Sequence, residues 1–598
     1  MSRLRQLDSR WRWGLVVLAG ALLIAAVNLW WIAEYRHGYP FNVDEYGYTG
    51  IGLNDWLGFK NGGLHGWWEA AQQQTPNAPL LPALTSVVLI FSPGLMQGFG
   101  VLIAIAVVQV MLSYGLGSRL AGPRLGALAA LAVATSEGLI LFTREYIFAL
   151  PAATSTTAAV YALVCSDGMR KRWWSAGVGA AVGLMLLSRT MVVAFVPGIA
   201  VAGVIAILIR GRGSYLPRFV NFGIAAVVGF LVTITWYWRN LTPVYEYLTN
   251  YGYGEQSQYY GAEHSALSWT RFKTVAETMV RTDLLAPLAF LVLVGLVILA
   301  VVAVRRLLAS ADRRATLLRI VGSDVFVVFV VFVAGFAALM SSRNGGDGFT
   351  FPLSMLLSPL AVVALRYARR ATVPVAVLVA LIGVVNLVST ATLSESLSKV
   401  RLVKFPPFGE VPWLNGEPHT VAAIRAQVPG PADRFTTAEL GWQKIDEELA
   451  DALTEPIGPE HAPPGLTVFG SRNRVISTNS VGAIGLIDHL VGFPFTQLNV
   501  EPTDSVVNYV KQLTDPEFGR PAALVTMSSE AGDYEPIVTQ SKVVEAATQV
   551  GFHKIREYTA PDGRRIYLWV RTKPIGAARN APPAPARSAA RGSGSRRG

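Results

Sequence analysis

The chain has 598 residues, of which 52% are apolar and only 15% are charged, and its formal net charge is +12. This composition excludes a typical soluble domain and indicates a membrane protein. The positive charge does not indicate nucleic-acid binding, because it lies mostly in short arginine-rich loops and in a basic tail. We therefore expect membrane lipids, and no nucleic acid, among the partners.

Eleven apolar segments recur along the first two-thirds of the chain. Each is close to the roughly 20 residues that cross a bilayer core as a helix. Arg189 separates the fifth segment from the sixth, and this pair also fits one broken helix. The predicted spans are 14–33, 95–118, 125–142, 147–165, 173–188, 190–209, 219–238, 284–304, 324–341, 350–366 and 373–393.

Arginine and lysine accumulate in alternate loops, which predicts the orientation of the spans. The N-terminus, residues 1–13, is then cytoplasmic, and the odd number of spans leaves the C-terminal part outside. The long loops 36–94 and 239–283 also lie outside. The Arg-, Ala-, Gly- and Pro-rich composition indicates a bacterium. We expect a multi-pass protein of the cell inner membrane.

Charge density rises after the last span, and residues 400–575 read as a mixed α/β domain outside the membrane. Strands are expected at 467–475 and 522–526, helices at 504–513 and 541–550, and a hairpin with its turn at Asp562-Gly563. The fold class is therefore an α-helical polytopic membrane domain, 14–395, followed by this α/β domain. The Arg-, Pro- and Ser-rich tail, 576–598, cannot build a core. The single cysteine, Cys165, excludes internal disulfides.

Two adjacent carboxylates, Asp44 and Glu45, follow the first span at the outer interface. Acidic side chains at this depth are costly unless they have a partner or a function. Glu145 lies in the second outside loop, on the same side of the membrane. A carboxylate there can accept a proton from a hydroxyl group. The alternative is that the pair merely caps a surface helix.

Arginine can stabilise a departing lipid phosphate near these carboxylates. The tyrosine-rich loop 239–283 suits stacking on sugars, and Tyr259 is the residue that we select from it. The candidate phosphate ligands on the outer face are Arg144, Arg239, Arg271 and Arg343.

These residues are consistent with three kinds of function. The first is an enzyme that uses a lipid-linked sugar, and the second is a transporter or flippase for a lipid-linked glycan. The third is a non-catalytic scaffold that displays the C-terminal domain. A transporter typically carries charges at the membrane midplane, where only Arg189 is found. A scaffold does not need acidic residues in two separate outside loops.

Five short motifs, in order, resemble the GT-C superfamily of glycosyltransferases, in the branch of protein O-mannosyltransferases and lipid A aminoarabinose transferases. The resemblance covers residues 10–395. One departure is Thr235, which stands where that family carries a proline. The motifs are Asp44-Glu45, Ala78-Pro79-Leu80, Arg144-Glu145, Gly183-Leu184 with Leu187-Ser188-Arg189, and Trp236-Tyr237-Trp238-Arg239-Asn240.

The resemblance implies an inverting hexosyl- or pentosyltransferase that takes its sugar from a polyprenyl-phosphate donor. Asp44 would be the catalytic base, Glu145 a second carboxylate of the cavity, and Glu45 a supporting or acceptor-facing residue. The acceptor would be a hydroxyl of a cell-envelope glycan, lipid or protein. Some family members use a divalent cation and others do not. If this chain binds one, Asp44 and Glu145 would be its ligands.

Overall fold

The computed structural model describes residues 2–36, 41–211, 213–254, 257, 266–346, 348–391, 401–414, 437–455, 466–515, 521–534 and 536–571. Tyr259 and the basic tail at 576–598 lie outside these residues.

Each of the eleven predicted spans coincides with a helix or with a broken helix. Seven of the described helices are long and apolar enough to cross a membrane, and the bent pair α5 (Pro123–Ala134) and α6 (Glu137–Arg144) would make eight. The remaining predicted spans correspond to the shorter helices α7 (Ala149–Cys165), α8 (Arg172–Ser188) and α15 (Phe351–Ala361). The helices are α1 Ser2–Trp31, α2 Val43–Ala71, α3 Leu80–Leu89, α4 Gln97–Ala121, α5 Pro123–Ala134, α6 Glu137–Arg144, α7 Ala149–Cys165, α8 Arg172–Ser188, α9 Val196–Arg210, α10 Tyr215–Tyr247, α11 Trp269–Thr278, α12 Ala286–Leu308, α13 Arg313–Val321, α14 Asp324–Ser341, α15 Phe351–Ala361 and α16 Thr372–Ala391.

Helix α2 belongs to the loop 36–94. It is interrupted at Gly62 and Gly63, and Gly63 has a φ of 59°, a conformation that glycine adopts without strain. The chain folds back at this point, so that Gly58 and Gly66 approach each other closely. The same loop contains the ten-residue helix α3.

The C-terminal unit is a five-stranded mixed sheet with helices on both faces. Across the sheet the strands lie in the order β4 (Phe495–Gln497), β3 (Thr467–Phe469), β5 (Ala523–Met527), β7 (Arg565–Arg571) and β6 (Phe552–Thr559). Strand β3 is parallel to β4 and β5, and the other pairs are antiparallel. The expected hairpin is confirmed as β6–β7. The elements are β1 Arg401–Lys404, β2 Glu410–Leu414, α17 Thr437–Thr454, β3 Thr467–Phe469, α18 Thr478–Ile484, β4 Phe495–Gln497, α19 Val506–Thr514, β5 Ala523–Met527, α20 Gln540–Gln549, β6 Phe552–Thr559 and β7 Arg565–Arg571.

Successive apolar side chains of the buried strands form two separate hydrophobic cores, one on each face of the sheet. Phe469 and Val525 pack with helices α17 and α18, and their neighbours Val468 and Leu524 pack with helices α19 and α20. Successive side chains of a strand point to opposite faces, so both helix layers are needed to cover the sheet.

The C-terminal unit is in contact with the helical bundle. Ala483 and Leu486, in and after α18, share a hydrophobic cluster with Phe41 and Tyr46 at the start of α2. The separate hairpin β1–β2 packs on the bundle instead of the sheet, with Val411 fully buried there. The start of α2 therefore lies at the junction of the two units.

Candidate active site

The first turn of α2 is fixed by its N-cap. The side-chain oxygen of Asn42 accepts hydrogen bonds from the backbone N–H groups of Asp44 and Glu45, both at 2.9 Å. The carboxylate of Glu45 in turn accepts the backbone N–H of Asn42 at 3.1 Å. This capping box satisfies N–H groups at the helix start, and the helix dipole favours acidic residues there.

Glu45 is fully buried and is not among the residues that line the large cavity at Asp44. It accepts a hydrogen bond from the equally buried guanidinium of Arg36 and another from the backbone N–H of Tyr146, at 3.0 Å. The carboxylate therefore joins the end of α1, the start of α2 and the loop after α6. Glu45 and Arg36 thus form a buried ion pair with a structural role.

Asp44, one residue earlier, is exposed and lines a large cavity. Glu145 lines the same cavity, and its carboxylate accepts a hydrogen bond from the side-chain amide of Asn42 at 3.4 Å. Asn42 thus links the N-cap of α2 to the second acidic loop. Two carboxylates from separate loops face one space.

The cavity has a volume of about 1110 Å³ and lies between the bundle and the C-terminal unit. This volume is slightly larger than the roughly 300–1,000 Å³ that is usual for a site that binds a small molecule or cofactor. The bundle contributes one face of α2, the segment that follows it, and the ends of several other helices. Its charged and aromatic lining residues are Asp44, Tyr46, Tyr48, Asp55, Glu145, Phe148, Arg189, Trp236, Tyr247, Tyr251, Phe349, Arg474, Phe493, Phe495 and Tyr534.

Tyr48 also lines the cavity, and its ring stacks on Phe148 with 4.0 Å between centroids. Desolvation raises the pKa of Tyr48 well above its usual value. The charges of Asp44 and Glu145 raise it further, whereas Arg189 lowers it. Both carboxylates and one guanidinium therefore act on a single phenol group.

Arg189 is a cation of the cavity that the sequence did not identify as a site residue. It lies in the extended break between α8 and a 3₁₀ turn, Thr190–Phe195, so the predicted broken helix is present. Its guanidinium packs over the ring of Phe349 at 3.9 Å from the centroid. The sequence does carry a signal for this site residue, because a lone arginine within an apolar stretch usually has a function.

None of the four arginines expected to bind phosphate lines this cavity. Arg144 donates to the side chain of Asn28 at 2.7 Å and to the carbonyl of Thr390 at 2.8 Å. It also packs over Trp31, at 4.4 Å from the ring centroid. Arg144 holds three helices together.

The other three arginines have different surroundings. Arg239 forms an exposed ion pair with Glu69, and Arg343 is exposed. Arg271 is buried and donates at 2.7 Å to the carbonyl of Asn344, whose loop lines the cavity. Burial lowers the pKa of Arg271 from its usual value. It supports the cavity wall without reaching the cavity.

The carboxylates of the cavity are the candidate ligands for a metal ion. Among the described residues, no three His, Cys, Asp or Glu side chains come together in a metal-binding group. Asp44 and Glu145 line one cavity, however, and Mg²⁺ is commonly held by one or two carboxylates together with water and substrate phosphate. The residues present fit this limited role.

No model of a known protein family and no curated protein matches the sequence. Among solved structures, ArnT from Cupriavidus metallidurans bound to undecaprenyl phosphate matches with a TM-score of 0.50 and 16% identity, over 93% of this chain and 98% of ArnT. Its apo state matches with a TM-score of 0.52 and 14% identity, over 93% and 97%.

The oligosaccharyltransferase of Archaeoglobus fulgidus, in complex with Zn and sulfate, matches with a TM-score of 0.50 and 13% identity, over 92% of this chain and 72% of that enzyme. Identities at this level relate the folds alone. Both neighbours are GT-C enzymes. The chain therefore has the fold of the GT-C membrane glycosyltransferases.

Proposed function

We propose that the protein is an inverting glycosyltransferase at the outer face of the bacterial cell membrane. It moves a sugar from a polyprenyl-phosphate donor to a hydroxyl acceptor of a cell-envelope glycan, lipid or protein. The main support is that Asp44 and Glu145, from two separate loops, line one cavity with Arg189. The ArnT neighbour, which shares the fold, was solved with undecaprenyl phosphate.

Asp44 is the catalytic base in this reaction. The acceptor oxygen attacks the anomeric carbon while its proton passes to the Asp44 carboxylate. The bond from that carbon to the phosphate oxygen breaks, and the electron pair leaves with the lipid phosphate. Phosphate is a good leaving group, so alignment of the hydroxyl with the anomeric carbon supplies much of the acceleration.

Arg189 stabilises the charge that develops on the departing phosphate. Arg189 is thus the proposed phosphate ligand, a role for which the sequence alone suggested Arg144, Arg239, Arg271 and Arg343. The cation over Phe349 shares a cavity with both carboxylates. Glu145 orients the acceptor, and Glu45 is a positioning residue that acts through the backbone of α2.

A divalent cation would be held by Asp44 and Glu145. When bound, it would neutralise charge on the donor phosphate. Comparing transfer rates in EDTA and in added Mg²⁺ decides whether the reaction requires such an ion.

The test is sugar transfer by the purified full chain in nanodiscs. Radiolabelled polyprenyl-phosphate mannose, arabinose and glucose serve as donors, and a cell-envelope extract serves as acceptor. We expect Asp44→Asn to lower the transfer rate at least about a thousandfold, because the amide cannot accept the proton. Binding of undecaprenyl phosphate and the melting temperature should be retained.

Glu246→Gln is the matched control, since Glu246 is an exposed carboxylate that does not line the cavity. Full transfer by the Asp44→Asn protein would rule out the base assignment. Movement of intact donor lipid across the bilayer, without transfer, would favour the flippase alternative.

A further inference from the structure

The sheet of the C-terminal unit has an edge directed at the cavity. Arg474 follows the parallel strand β3, and Tyr534 follows its parallel neighbour β5. Both residues line the cavity. In α/β folds, ligands bind beyond the carboxyl ends of parallel strands. This unit therefore directs the binding edge of its sheet toward Asp44.

The turn that carries Arg474 is held in place. The side-chain oxygen of Asn473 accepts the backbone N–H groups of Val475 at 3.0 Å and Ile476 at 3.2 Å. A few residues later, the amide of Asn479 donates at 2.8 Å to the carbonyl of Val43, next to Asp44. The turn is thus fixed both to its own unit and to the first turn of α2.

The guanidinium of Arg474 has no role in the transfer reaction described above. It is exposed in the cavity wall and forms no hydrogen bond or ion pair with any residue that the structure describes. Arg189, on the bundle side, already serves the donor phosphate. A guanidinium fork matches carboxylate and phosphate groups, which it binds through paired hydrogen bonds.

The neighbouring lining suits the rest of a glycan. Phe493, Phe495 and Tyr534 belong to the same wall, and the ring of Tyr534 packs under Arg472 at 4.6 Å from the centroid. Aromatic rings offer large apolar faces, and a tyrosine adds a polar tip. The wall combines such faces with the guanidinium of Arg474, which forms no ion pair within the described part of the chain.

We propose that Arg474 binds an anionic group, a carboxylate or a phosphate, carried by the acceptor glycan. This proposal rests on the proposed function, of which it defines the acceptor. The C-terminal unit then selects an acidic glycan, while the bundle performs the transfer. Carboxylate and phosphate present the same chemistry to a guanidinium, so the two sources are separated by experiment.

The experiment measures binding by calorimetry to the full chain in nanodiscs. The probes are a galacturonic acid trisaccharide, its carboxyl-reduced neutral counterpart and a galactose trisaccharide with one phosphate group. We expect one of the acidic probes to bind at least about tenfold more tightly than the neutral one, as for a charge-assisted hydrogen bond. The preferred probe identifies the anionic group.

The variants assign this preference to one residue. Arg474→Gln should remove it, and Arg474→Lys should retain part of it. Arg401→Gln, which removes an exposed arginine outside the cavity wall, should leave it unchanged. Affinity for undecaprenyl phosphate should fall in Arg189→Gln and not in Arg474→Gln.

Equal binding of acidic and neutral probes would overturn the proposal, as would an acid preference that survives Arg474→Gln. Loss of undecaprenyl phosphate binding in Arg474→Gln would assign this residue to the donor instead. If acidic glycans bind through Arg474 but no sugar is transferred, the proposed function fails and the acidic binding site remains.

Discussion

Asp44 and Glu45 are adjacent in sequence and have opposite surroundings. The capping box directs Glu45 inward to Arg36, while Asp44 stays at the cavity. A buried carboxylate with a full set of partners cannot turn to a substrate without leaving a charge unpaired. The two acids of this pair therefore separate into one that faces the cavity and one that fixes the backbone.

Glu45→Gln tests the structural side of this division. The change removes the charge that Glu45 pairs with the buried Arg36 guanidinium, and breaking a buried ion pair costs about 3–5 kcal/mol. We expect a clearly lower melting temperature in detergent. Adding Arg36→Met to Glu45→Gln should restore part of it, because both charges are then gone. A Glu45→Gln protein that keeps its stability and loses transfer would instead make Glu45 catalytic.

Asp55 makes the free energy of unfolding depend on pH. Burial raises the pKa of Asp55 to about 7, and neither carboxylate oxygen has a hydrogen-bond partner among the described residues. An unfolded aspartate titrates near 3.9. Between about pH 4 and pH 7 the unfolded chain loses a proton that the folded protein keeps, so the free energy of unfolding falls as pH rises.

Asp55→Asn should therefore raise the melting temperature by several degrees at about pH 8 and by little at about pH 4. Thermal unfolding at both pH values measures this, with Glu246→Gln as the control. An equal change at both pH values would contradict a raised pKa.

At the scale of the element, the part of α2 before its break supplies one wall of the cavity. The part after the break leads into a segment that also lines the cavity. The two parts meet at glycines, since a Cβ on Gly66 would lie 2.2 Å from the carbonyl oxygen of Gly58. A β-carbon there forces the parts away from each other. The segment that follows, which includes Thr75 and Pro76, would then move with the second part.

Gly66→Ala should lower the stability by about 1–3 kcal/mol, as overpacking does, and slow sugar transfer. Gly62→Ala is the matched control on the same helix, because a Cβ at Gly62 meets nothing within 4 Å. Melting temperature and transfer rate are measured for both. Equal effects in the two variants would show that the close contact is unimportant.

Local patterns in the sequence predicted the helices well. An apolar run long enough to cross a bilayer has few alternatives to a helix, so every predicted span coincides with one. The hairpin at Asp562-Gly563 was equally clear, because its turn residues are specific. The same reasoning selected Asp44 and Glu145, which the structure brings to one cavity.

Partners that are distant in sequence could not be predicted in this way. Arg144 and Arg271 carry the charge that a phosphate site needs, but tertiary packing directs them to Asn28 and to the carbonyl of Asn344. The cavity instead receives a cation from a helix break. The turn at Arg474 reaches the cavity only because two units meet, and no local pattern encodes that contact.

At the scale of the whole molecule, the helical bundle and the C-terminal unit contribute different residues to the cavity between them. Asp44, Glu145 and Arg189 all belong to the bundle, whereas the facing wall comes from loops of the C-terminal sheet. In the reaction proposed above, changes in those loops would alter which acceptor is received without disturbing the chemistry. Replacing the loops after β3 and β5 with loops of other sequence would then change the acceptor glycan while the same sugar is transferred.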